Sequence, residues 1–450
     1  MPKYKLLLIH PFNKDLLKVQ SNSLKRGLSN YALFEPISLG ILAALTNNNW
    51  SVKIVDEGLE DFPQKLESNS YDLVGITSDT STIGRAIEIS TICKNLNIKT
   101  VIGGIHASFN VEESLEFFDF VVVGEAEEVW PDLIDDFEAA QMKRVYEAKG
   151  KFNLKNAVIP DRKLFFQNYI FSVVYTSRGC PGRCSFCAVS NFFGRIQRRR
   201  PIDNIISELR EIPQGRTVFF SDDDIIGRSP IEREKAVELF KSIIYDGINI
   251  SWHAFTSIEA ALFDEVLENA AKSGCRWLYI GFDSTSQQSL KEMNKAMKII
   301  ALKRSYNKLI KKINSYGILV YGGFIIGNDS DDIKSVKKMM RFIKYSYVNG
   351  FALFVLTPLP GTELFDRMTK EKRMLFNNFP DDWVHFNLSE LTFTPKNMTV
   401  DEFNDLYINC HKYLNLKYIK YIKSILTLIS TKSPALARQI YNFYKFRVSC

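Results

Sequence analysis

Three of the seven cysteines in this chain lie within eight consecutive positions: Cys180, Cys184 and Cys187. In a reducing compartment, so tight a group of thiols indicates a metal site before a disulfide. The i, i+4, i+7 spacing also fits one face of a helix. Gly179 and Pro181 argue against a helix, because proline lacks a backbone donor and glycine disfavours helix. The segment therefore predicts a loop wrapped around one site.

Three interpretations of these thiols stay open at this point. Three thiolates can hold three irons of a [4Fe–4S] cluster and leave the fourth iron open to a small molecule. A tetrahedral zinc site needs a fourth protein ligand, and the nearest downstream Cys or His is His253. The spacing thus favours the iron–sulfur cluster over zinc, with three buried free thiols as the remaining reading.

The N-terminal part of the chain alternates short apolar runs with amphipathic stretches, which predicts a doubly wound parallel sheet. The predicted strands are residues 5–9, 52–55, 73–77, 100–102 and 120–123. Ligands of such sheets lie beyond the carboxyl ends of the strands. The segments there, residues 78–82, 103–106 and 124–128, are small, polar or glycine-rich. They suit backbone contact with a large ligand, or tight turns alone.

A second series of strands and helices follows and predicts an open, partial (β/α)6 barrel of the TIM type. Its strands are residues 171–176, 217–220, 250–255, 277–282, 318–326 and 351–356. We expect four segments in the chain. They are a Rossmann-like domain at 1–145, a linker at 146–168, the barrel at 169–362, and a mostly helical C-terminal domain at 363–450.

Composition excludes disorder, since 13% of the 450 residues are aromatic and 46% are apolar. The formal charge of +7 is concentrated in residues 411–450, which contain eight Lys or Arg and no Asp or Glu. The rest of the chain is therefore close to neutral. Neither a membrane span nor a secretory leader is recognisable, so we expect a cytoplasmic protein.

In the segment from Thr176 to Cys187 the chain resembles the radical S-adenosylmethionine (SAM) superfamily, whose hallmark is this cysteine spacing with an aromatic residue before the third cysteine. The resemblance implies that Cys180, Cys184 and Cys187 hold a [4Fe–4S] cluster. SAM would chelate the open iron and be cleaved to a 5′-deoxyadenosyl radical, which abstracts hydrogen from unactivated carbon. The protein supplies orientation and a dry pocket.

The resemblance extends to the ends of later barrel strands and implies SAM contacts there. Residues 219–224 look like the acidic motif that meets the SAM ammonium, and a solvated turn is the alternative. Asp283 stands where relatives often carry Glu. The implied SAM-binding residues are Phe186, Ser221, Asp222, Asp223, Asp283, Ser284, Gly323 and Ile326.

The N-terminal domain and the segment 357–362 look like those of the cobalamin-binding branch of this superfamily. The implied cobalamin-binding residues are Ser78, Thr80, Thr82, Gly103, Gly104, His106, Val123, Gly124 and Glu125. Glu35 stands where proline is usual, and the D-x-H-x-x-G lower-ligand motif of other corrinoid proteins is absent from the sequence. His106 is therefore expected to contact the corrin or its nucleotide, not the cobalt, or else to cap a turn.

The leading functional hypothesis is a cobalamin-dependent radical SAM enzyme that methylates an unactivated carbon of a small-molecule, natural-product or lipid-like substrate. SAM would be used twice, once for the methyl group and once for the radical. Some relatives perform oxidative cyclisation or rearrangement instead. An electron donor such as flavodoxin or ferredoxin is implied.

Two hypotheses from other classes compete with this one. A tRNA-modifying, methylthio-transferring enzyme would use Arg195, the arginines at 198–200 and the basic tail against phosphates. That class carries a second cysteine triplet, whereas this N-terminal domain contains only Cys93, so nucleic acid is not the expected partner. A corrinoid or metal carrier is the non-enzyme alternative, and the intact cysteine triplet argues against it.

The C-terminal region adds two expectations. Lys417, Lys420 and Lys423 share one sector of a helical wheel, which suggests a helix packed on the barrel, a lid, or a peripheral contact with anionic lipid. His385 is either a packing residue or an acid/base group on the substrate side.

Overall fold

The computed structural model describes residues 2–12, 32–60, 62, 66–67, 70–166, 168–295, 298–299 and 305–414. Within these residues the chain forms two large parallel sheets, each with helices packed on it. A small antiparallel sheet lies beside the cysteines. Two of the helices in the described part begin with capping boxes, at Ser229 and Asp332.

The N-terminal sheet has six strands in the order β3-β1-β4-β5-β6-β7. Its strands are β1 (Tyr4–His10), β3 (Trp50–Asp56), β4 (Leu73–Thr77), β5 (Lys99–Gly103), β6 (Phe120–Val123) and β7 (Val145–Glu147). Its helices are α1 (Ile37–Leu45), α2 (Ile83–Asn95), α3 (Ile105–Phe109), α4 (Val111–Phe117) and α5 (Trp130–Glu138). In the central strand β1, Leu6 through Ile9 are fully buried, because helices cover both faces of the sheet.

The second sheet has seven parallel strands in the order β15-β14-β13-β12-β11-β8-β2. They are β2 (Ala32–Phe34), β8 (Tyr169–Val174), β11 (Thr217–Phe220), β12 (Ser251–Thr256), β13 (Cys275–Asp283), β14 (Leu319–Ile326) and β15 (Gly350–Val355). Its helices are α7 (Ile202–Glu211), α8 (Pro230–Tyr245), α9 (Asp264–Lys272), α10 (Gln287–Glu292), α11 (Tyr306–Ser315) and α12 (Ile333–Tyr345). The strands and amphipathic helices agree with the predicted partial barrel to within a few residues.

Two short strands depart from the sequence expectation. The segment predicted as a linker contributes β7, which pairs with β6 and makes a sixth strand of the first sheet. The strand β2 precedes α1 in the chain yet pairs with β8 at the edge of the second sheet. The N-terminal part of the chain therefore supplies an edge strand to the barrel, which a division at residue 145 does not anticipate.

Buried ion pairs hold the segment that follows β2 against the barrel. Arg162 forms ion pairs with both Glu35 and Glu208, and Glu35 also accepts the hydroxyl of Ser172 at 3.0 Å. Glu208 also pairs with Arg200 at 2.6 Å. Because these side chains are almost fully buried, each carboxylate needs its cation. Glu35, at the position where proline was expected, therefore connects β2 to the barrel.

The C-terminal region begins with α13 (Glu363–Lys370), continues through an irregular stretch, and forms a helix at residues 400–414. The predicted basic helix with Lys417, Lys420 and Lys423 lies outside the described residues. No helix among the described residues is both long and apolar enough to cross a bilayer.

Candidate functional site

The three cysteines lie on a loop between β9 (Ser177–Arg178) and the short helix α6 (Val189–Phe192). β9 pairs antiparallel with β10 (Arg198–Arg199), which holds the two ends of the loop together. Gly179 has φ +93°, and a Cβ there would lie 2.3 Å from the carbonyl oxygen of Ile196. Glycine is therefore required at this position. The Cys180 N–H donates to the Gly194 carbonyl at 3.2 Å and sets the start of the loop.

All three thiols are partly buried. Burial, together with the neighbouring Cys184, raises the pKa of Cys187 to about 11. Among the described residues, no three Cys, His, Asp or Glu side chains surround a single point as ligands of one metal ion. A [4Fe–4S] cube binds each thiolate on a different iron, so its ligands are spread over a volume and need not converge. The donor set and its partial burial fit such a cluster.

Two cations lie against these thiols. Lys295 hydrogen-bonds to Cys184, and its ammonium is 5.1 Å from the centre of the Phe186 ring. The Nη2 of Arg228 lies 4.0 Å from Cys180 Sγ. A cluster held by thiolates brings negative charge into this site, and fixed cations around the ligands stabilise that charge.

Three consecutive aspartates at the end of β11 have different surroundings. Asp222 is fully buried and accepts the Thr176 N–H at 3.0 Å, the Thr176 hydroxyl at 2.7 Å and the Ser177 hydroxyl. It therefore holds the start of the cysteine loop. Asp224 accepts the Thr256 hydroxyl at 2.8 Å.

Asp223, between them, is partly exposed and accepts the Gly179 N–H. Burial together with the neighbouring Asp222 raises the pKa of Asp223 to about 7. Of the three carboxylates, Asp223 is the one placed to meet a cationic ligand. Ser221, also predicted as a SAM contact, is exposed, and its N–H donates to the Val174 carbonyl at 2.9 Å.

The carboxylate of Asp283 lies between two lysines. Its carboxylate is 3.0 Å from Lys295 Nζ and 2.9 Å from Lys298 Nζ, and the two ammonium groups hold the pKa of Asp283 at about 2 against the effect of its burial. The residue sits at a β-bulge with φ +62°. Asp283 thus anchors the lysine that contacts Cys184. That Asp283 also contacts SAM stays a prediction.

The other predicted SAM residues lie at the same edge of the barrel. Ser284 is buried and accepts the Ser286 N–H at 3.0 Å. A Cβ on Gly323 would lie 3.6 Å from the Cα of Gly281, so these two strand ends approach closely. Ile326 is fully buried at the end of β14.

A cavity of about 350 Å³ opens at the carboxyl ends of β4, β5 and β6. Four of the predicted cobalamin residues line it: Gly103, Gly104, Gly124 and Glu125. Apolar side chains of α1 and Trp130 form its inner wall. Arg178, Phe192 and Phe193 close the opposite side. The cavity therefore lies between the N-terminal sheet and the cysteine loop.

Glycines shape this cavity. A Cβ on Gly75 would lie 2.8 Å from Leu8 and 3.5 Å from Trp130. Gly104 has φ +105°, and a Cβ there would lie 2.6 Å from the carbonyl oxygen of Ser78. Larger side chains at these positions would displace the cavity wall. A largely apolar cradle of this size, with glycines at the strand ends, fits part of a large ligand, such as the nucleotide arm of a corrinoid.

His106 does not line this cavity. Its ring is buried, with Nδ1 3.3 Å from the Thr80 hydroxyl and Nε2 3.1 Å from a Glu113 carboxylate oxygen. The Trp383 ring packs edge-on at 5.2 Å. Both ring nitrogens therefore have protein partners, and the ring packs against a residue of the C-terminal region. That His106 also contacts the corrin or its nucleotide stays a prediction.

The remaining predicted cobalamin residues lie beside the cavity instead of on its wall. Ser78 and Thr80 are buried, Thr82 hydrogen-bonds with Asp79, and Val123 is partly buried at the end of β6. Ser78 Oγ has no hydrogen-bond partner within the described residues.

Glu125 connects the two domains through its carboxylate. It pairs with Arg178 at 2.9 Å and with Arg198 at 2.7 Å, while Glu127 pairs with Arg178 at 2.6 Å. The arginines at 198–200, considered above as phosphate ligands, thus form salt bridges and backbone hydrogen bonds at the barrel rim. Glu125 lines the cavity, and its carboxylate holds Arg178 and Arg198 beside the cysteine loop.

Sequence reasoning missed an aromatic surface on the face of the barrel sheet that points away from the helices. Rings from neighbouring strands contact one another there: Phe34, Phe171, Phe219, His253, Phe255 and Tyr279. Phe34 and Phe255 are 43% and 45% exposed. The alternation of large rings along β11, β12 and β13 is the sequence signal that marks this face.

His253 lies within this aromatic surface and is buried. Neither ring nitrogen has a hydrogen-bond partner among the described residues. Burial lowers its pKa to about 3, so the imidazole is neutral at physiological pH. His385, in contrast, pairs with Glu390 at 2.8 Å and stacks on Phe376.

Two family models match different parts of the chain. Residues 174–343 match the model described as the radical SAM superfamily, and residues 30–134 match the B12 binding domain. The two matches fall on the barrel and on the domain that contains the cavity.

Curated relatives cover most of the chain. It is 28% identical over 420 residues to the bacteriochlorophyllide d C-12(1)-methyltransferase of Chlorobaculum tepidum, which covers 91% of this chain and 86% of that protein. It is 25% identical over 372 residues to the hopanoid C-2 methylase of Rhodopseudomonas palustris, covering 79% of this chain and 68% of that protein.

A solved structure shares the fold. The radical SAM methyltransferase TsrM of Kitasatospora setae, with tryptophan substrate and a SAM analogue bound, has a TM-score of 0.65 to this chain at 17% identity. The match covers 82% of this chain and 76% of that one. The predicted fold class is confirmed.

Proposed function

The chain belongs to the cobalamin-binding radical SAM enzymes, and on that premise we propose that it methylates an unactivated carbon of an apolar, ring-bearing small molecule. Membership confirms the predicted enzyme class and cofactors: a [4Fe–4S] cluster, SAM and cobalamin. The carbon that is methylated and the identity of the substrate belong to the proposal.

The observation that carries the proposal is the position of the cavity. Residues of the N-terminal sheet form one wall, and Arg178 with Phe192 and Phe193 of the cysteine-loop region forms the other. A corrinoid in this cavity would therefore lie beside the cluster ligands. Such an arrangement suits a reaction in which a methyl group and a radical reach one substrate carbon.

The protein residues take complementary roles in this proposal. Cys180, Cys184 and Cys187 would hold the cluster, whose chemistry when bound would be the one-electron reduction of SAM. Asp223 would face the SAM ammonium, and that positive charge would lower the raised pKa of this carboxyl and keep it ionised. Lys295, held by Asp283, neutralises charge at Cys184.

The aromatic surface of the barrel supports the proposed substrate class. Two of its apolar side chains remain markedly exposed in the chain alone: Phe34 at 43% and Phe255 at 45%. Exposed aromatic faces favour contact with flat or extended apolar molecules, and they exclude water from the radical. His253 offers one neutral hydrogen-bonding group within this surface.

A direct test uses anaerobically reconstituted protein. Metal analysis and the absorbance spectrum should show about four irons and one cobalt per chain if both cofactors bind. Turnover should then give methylated product together with S-adenosylhomocysteine and 5′-deoxyadenosine. A product without an added methyl group, formed with 5′-deoxyadenosine alone, would favour cyclisation or rearrangement instead.

The variant Cys184→Ala tests whether the cluster and the corrinoid bind independently of each other. We expect it to lose the cluster and the cleavage of SAM while retaining corrinoid, because the cavity walls stay in place. Cys93→Ala, a buried thiol of α2 far from the loop, is the matched control. Zinc in place of iron in the wild-type protein would refute the proposed function.

A further inference from the structure

The surface nearest to Cys180 combines exposed cations with exposed aliphatic side chains. It comprises Arg183, Arg195, Ile196, Arg228 and Ile231, which we name the Arg/Ile patch. Ile196 is 78% exposed and Ile231 is 65% exposed, unusually high values for side chains of this size. Arg183 and Arg195 are exposed as well.

Contacts with the cysteine loop place Ile196 and Arg228 beside it, while Arg183 follows Gly182 on the loop and Ile231 follows Arg228 closely in the chain. The carbonyl of Ile196 approaches Gly179 closely, and the Cys180 N–H donates to Gly194. Arg228 Nη2 lies 4.0 Å from Cys180 Sγ and would lie 3.3 Å from a Cβ on Gly182. A molecule that touches Arg228 is therefore one side chain away from a cluster ligand.

The patch carries net positive charge. No ion pair to Arg183 or Arg195 is formed within the described part of the chain. Arg228 has one distant partner, Asp224 at 4.0 Å. The nearby Glu232 accepts the N–H groups of Arg228 and Ser229 at 2.9 Å, and its single negative charge offsets only part of the three positive charges of the patch.

We propose that the Arg/Ile patch is the docking surface for an acidic one-electron carrier protein of the flavodoxin or ferredoxin type. The carrier is oxidised by one electron and the cluster is reduced by one, and no bond forms or breaks in this step. The proposal rests on the proposed function, because it requires a cluster on the three cysteines.

The chemistry of the patch favours a protein over RNA. Binding of nucleic acid relies on many phosphate contacts, whereas this surface offers few cations around two large aliphatic groups. Exposed aliphatic side chains with a rim of arginine are typical of protein contacts. An acidic carrier would be attracted to the rim and would bury the isoleucines.

The test compares the double variant Arg195→Glu/Ile231→Glu with wild-type holoenzyme. Both side chains lie outside the cysteine loop, so the cluster should be unaffected. Lys337→Glu, an exposed residue on α12, is the matched control for charge reversal. Affinity for purified flavodoxin is measured at low and high salt, and 5′-deoxyadenosine formation is measured with reduced flavodoxin and with dithionite.

We expect the double variant to bind flavodoxin about tenfold more weakly at low salt, with a smaller difference at high salt. Its rate with flavodoxin should fall while its rate with dithionite equals that of wild type. Equal flavodoxin binding by wild type and double variant would overturn the proposal, as would absence of binding to both flavodoxin and ferredoxin. RNA binding that the same substitutions abolish would overturn it too. Failure of dithionite with the wild-type protein would instead refute the proposed function.

Discussion

Three aspartates around the cysteine loop have different roles because their hydrogen-bond and ion-pair partners differ. Asp222 holds the loop, Asp223 is left facing the ligand side, and Asp283 anchors two lysines. The sequence identified all three as acids at strand ends. The sequence does not show which carboxylate is left to meet a ligand, because partners such as Thr176 come close to Asp222 only in the folded chain.

The lysines at this site mark the limit of prediction from sequence. Cys180, Cys184 and Cys187 could be predicted as ligands because their spacing is local. Lys295 reaches Cys184 only through the turn that follows α10, and no local pattern separates it from other lysines. In the sequence, His253 is notable only as the nearest downstream Cys or His, too distant to favour zinc. Its burial among rings follows from the pairing of β11, β12 and β13.

At the residue scale, the lowered pKa of His253 leads us to expect that the free energy of unfolding depends on pH. Its pKa is about 3 in the folded chain against an ordinary value of 6.5. Between these values the unfolded chain binds more protons, so the free energy of unfolding falls as the pH drops below 6.5. His253→Phe should remove up to about 2 to 3 kcal/mol of this loss at about pH 4.5. Urea unfolding of the apoprotein across this pH range measures it.

The control for this prediction is Phe219→Leu, which changes a neighbouring ring without a titrating group. It should lower the free energy of unfolding by a similar amount at every pH. Equal pH slopes for wild type and His253→Phe would show that His253 is protonated without cost in the folded chain.

At the scale of elements, hydrophobic runs located the long strands of both sheets to within a few residues, and the predicted strand at 217–220 has the same bounds as β11. The three-residue strands β2 and β7 were not predicted, because three residues are too few to show an alternation of apolar and polar side chains. Their pairing is decided by tertiary contacts, among them the buried ion pairs of Glu35 with Arg162.

We expect Glu125, in the turn after β6, to contribute to the stability of the chain. Glu125→Gln removes the charge that faces Arg178 and Arg198, two largely buried guanidinium groups. We expect the free energy of unfolding of the cofactor-free chain to fall by about 3 kcal/mol, measured by urea unfolding. Glu128→Gln, an exposed residue of the same turn, should leave stability unchanged.

This experiment also distinguishes the two roles open to Glu125. If its carboxylate serves corrinoid binding alone, Glu125→Gln would leave the stability of the apoprotein intact and weaken corrinoid affinity only. A loss of stability without corrinoid present supports the role as a bridge between the domain and the cysteine loop.

For the molecule as a whole, the segment after β15 joins the three regions that must act together. The Leu364 N–H donates to the Ser185 carbonyl at 2.9 Å, on the cysteine loop. Asn191 donates to the Gly361 carbonyl at 2.6 Å. Trp383 packs into the apolar core of the N-terminal domain. One C-terminal segment therefore contacts the loop, the barrel and the domain with the cavity.

Trp383 is the residue by which this arrangement can be tested. Its ring is buried and stacks on Phe379 at 3.6 Å, and its indole N–H donates to Glu113, which also holds His106. Trp383→Ala should cost about 3 to 5 kcal/mol through the cavity it leaves. Trp383→Phe, which retains a stacking ring, should cost about 1 to 2 kcal/mol from the lost hydrogen bond.

Hydrogen exchange distinguishes coupling from local damage. Because Glu113 and His106 lie on α4 and α3, loss of the indole should increase amide exchange in these two helices as well as around Trp383 itself. Faster exchange confined to residues 381–386 would show that the C-terminal segment docks without stabilising the domain. Increased exchange in both places, larger for Trp383→Ala than for Trp383→Phe, would mean that the segment holds the corrinoid domain in its position against the barrel.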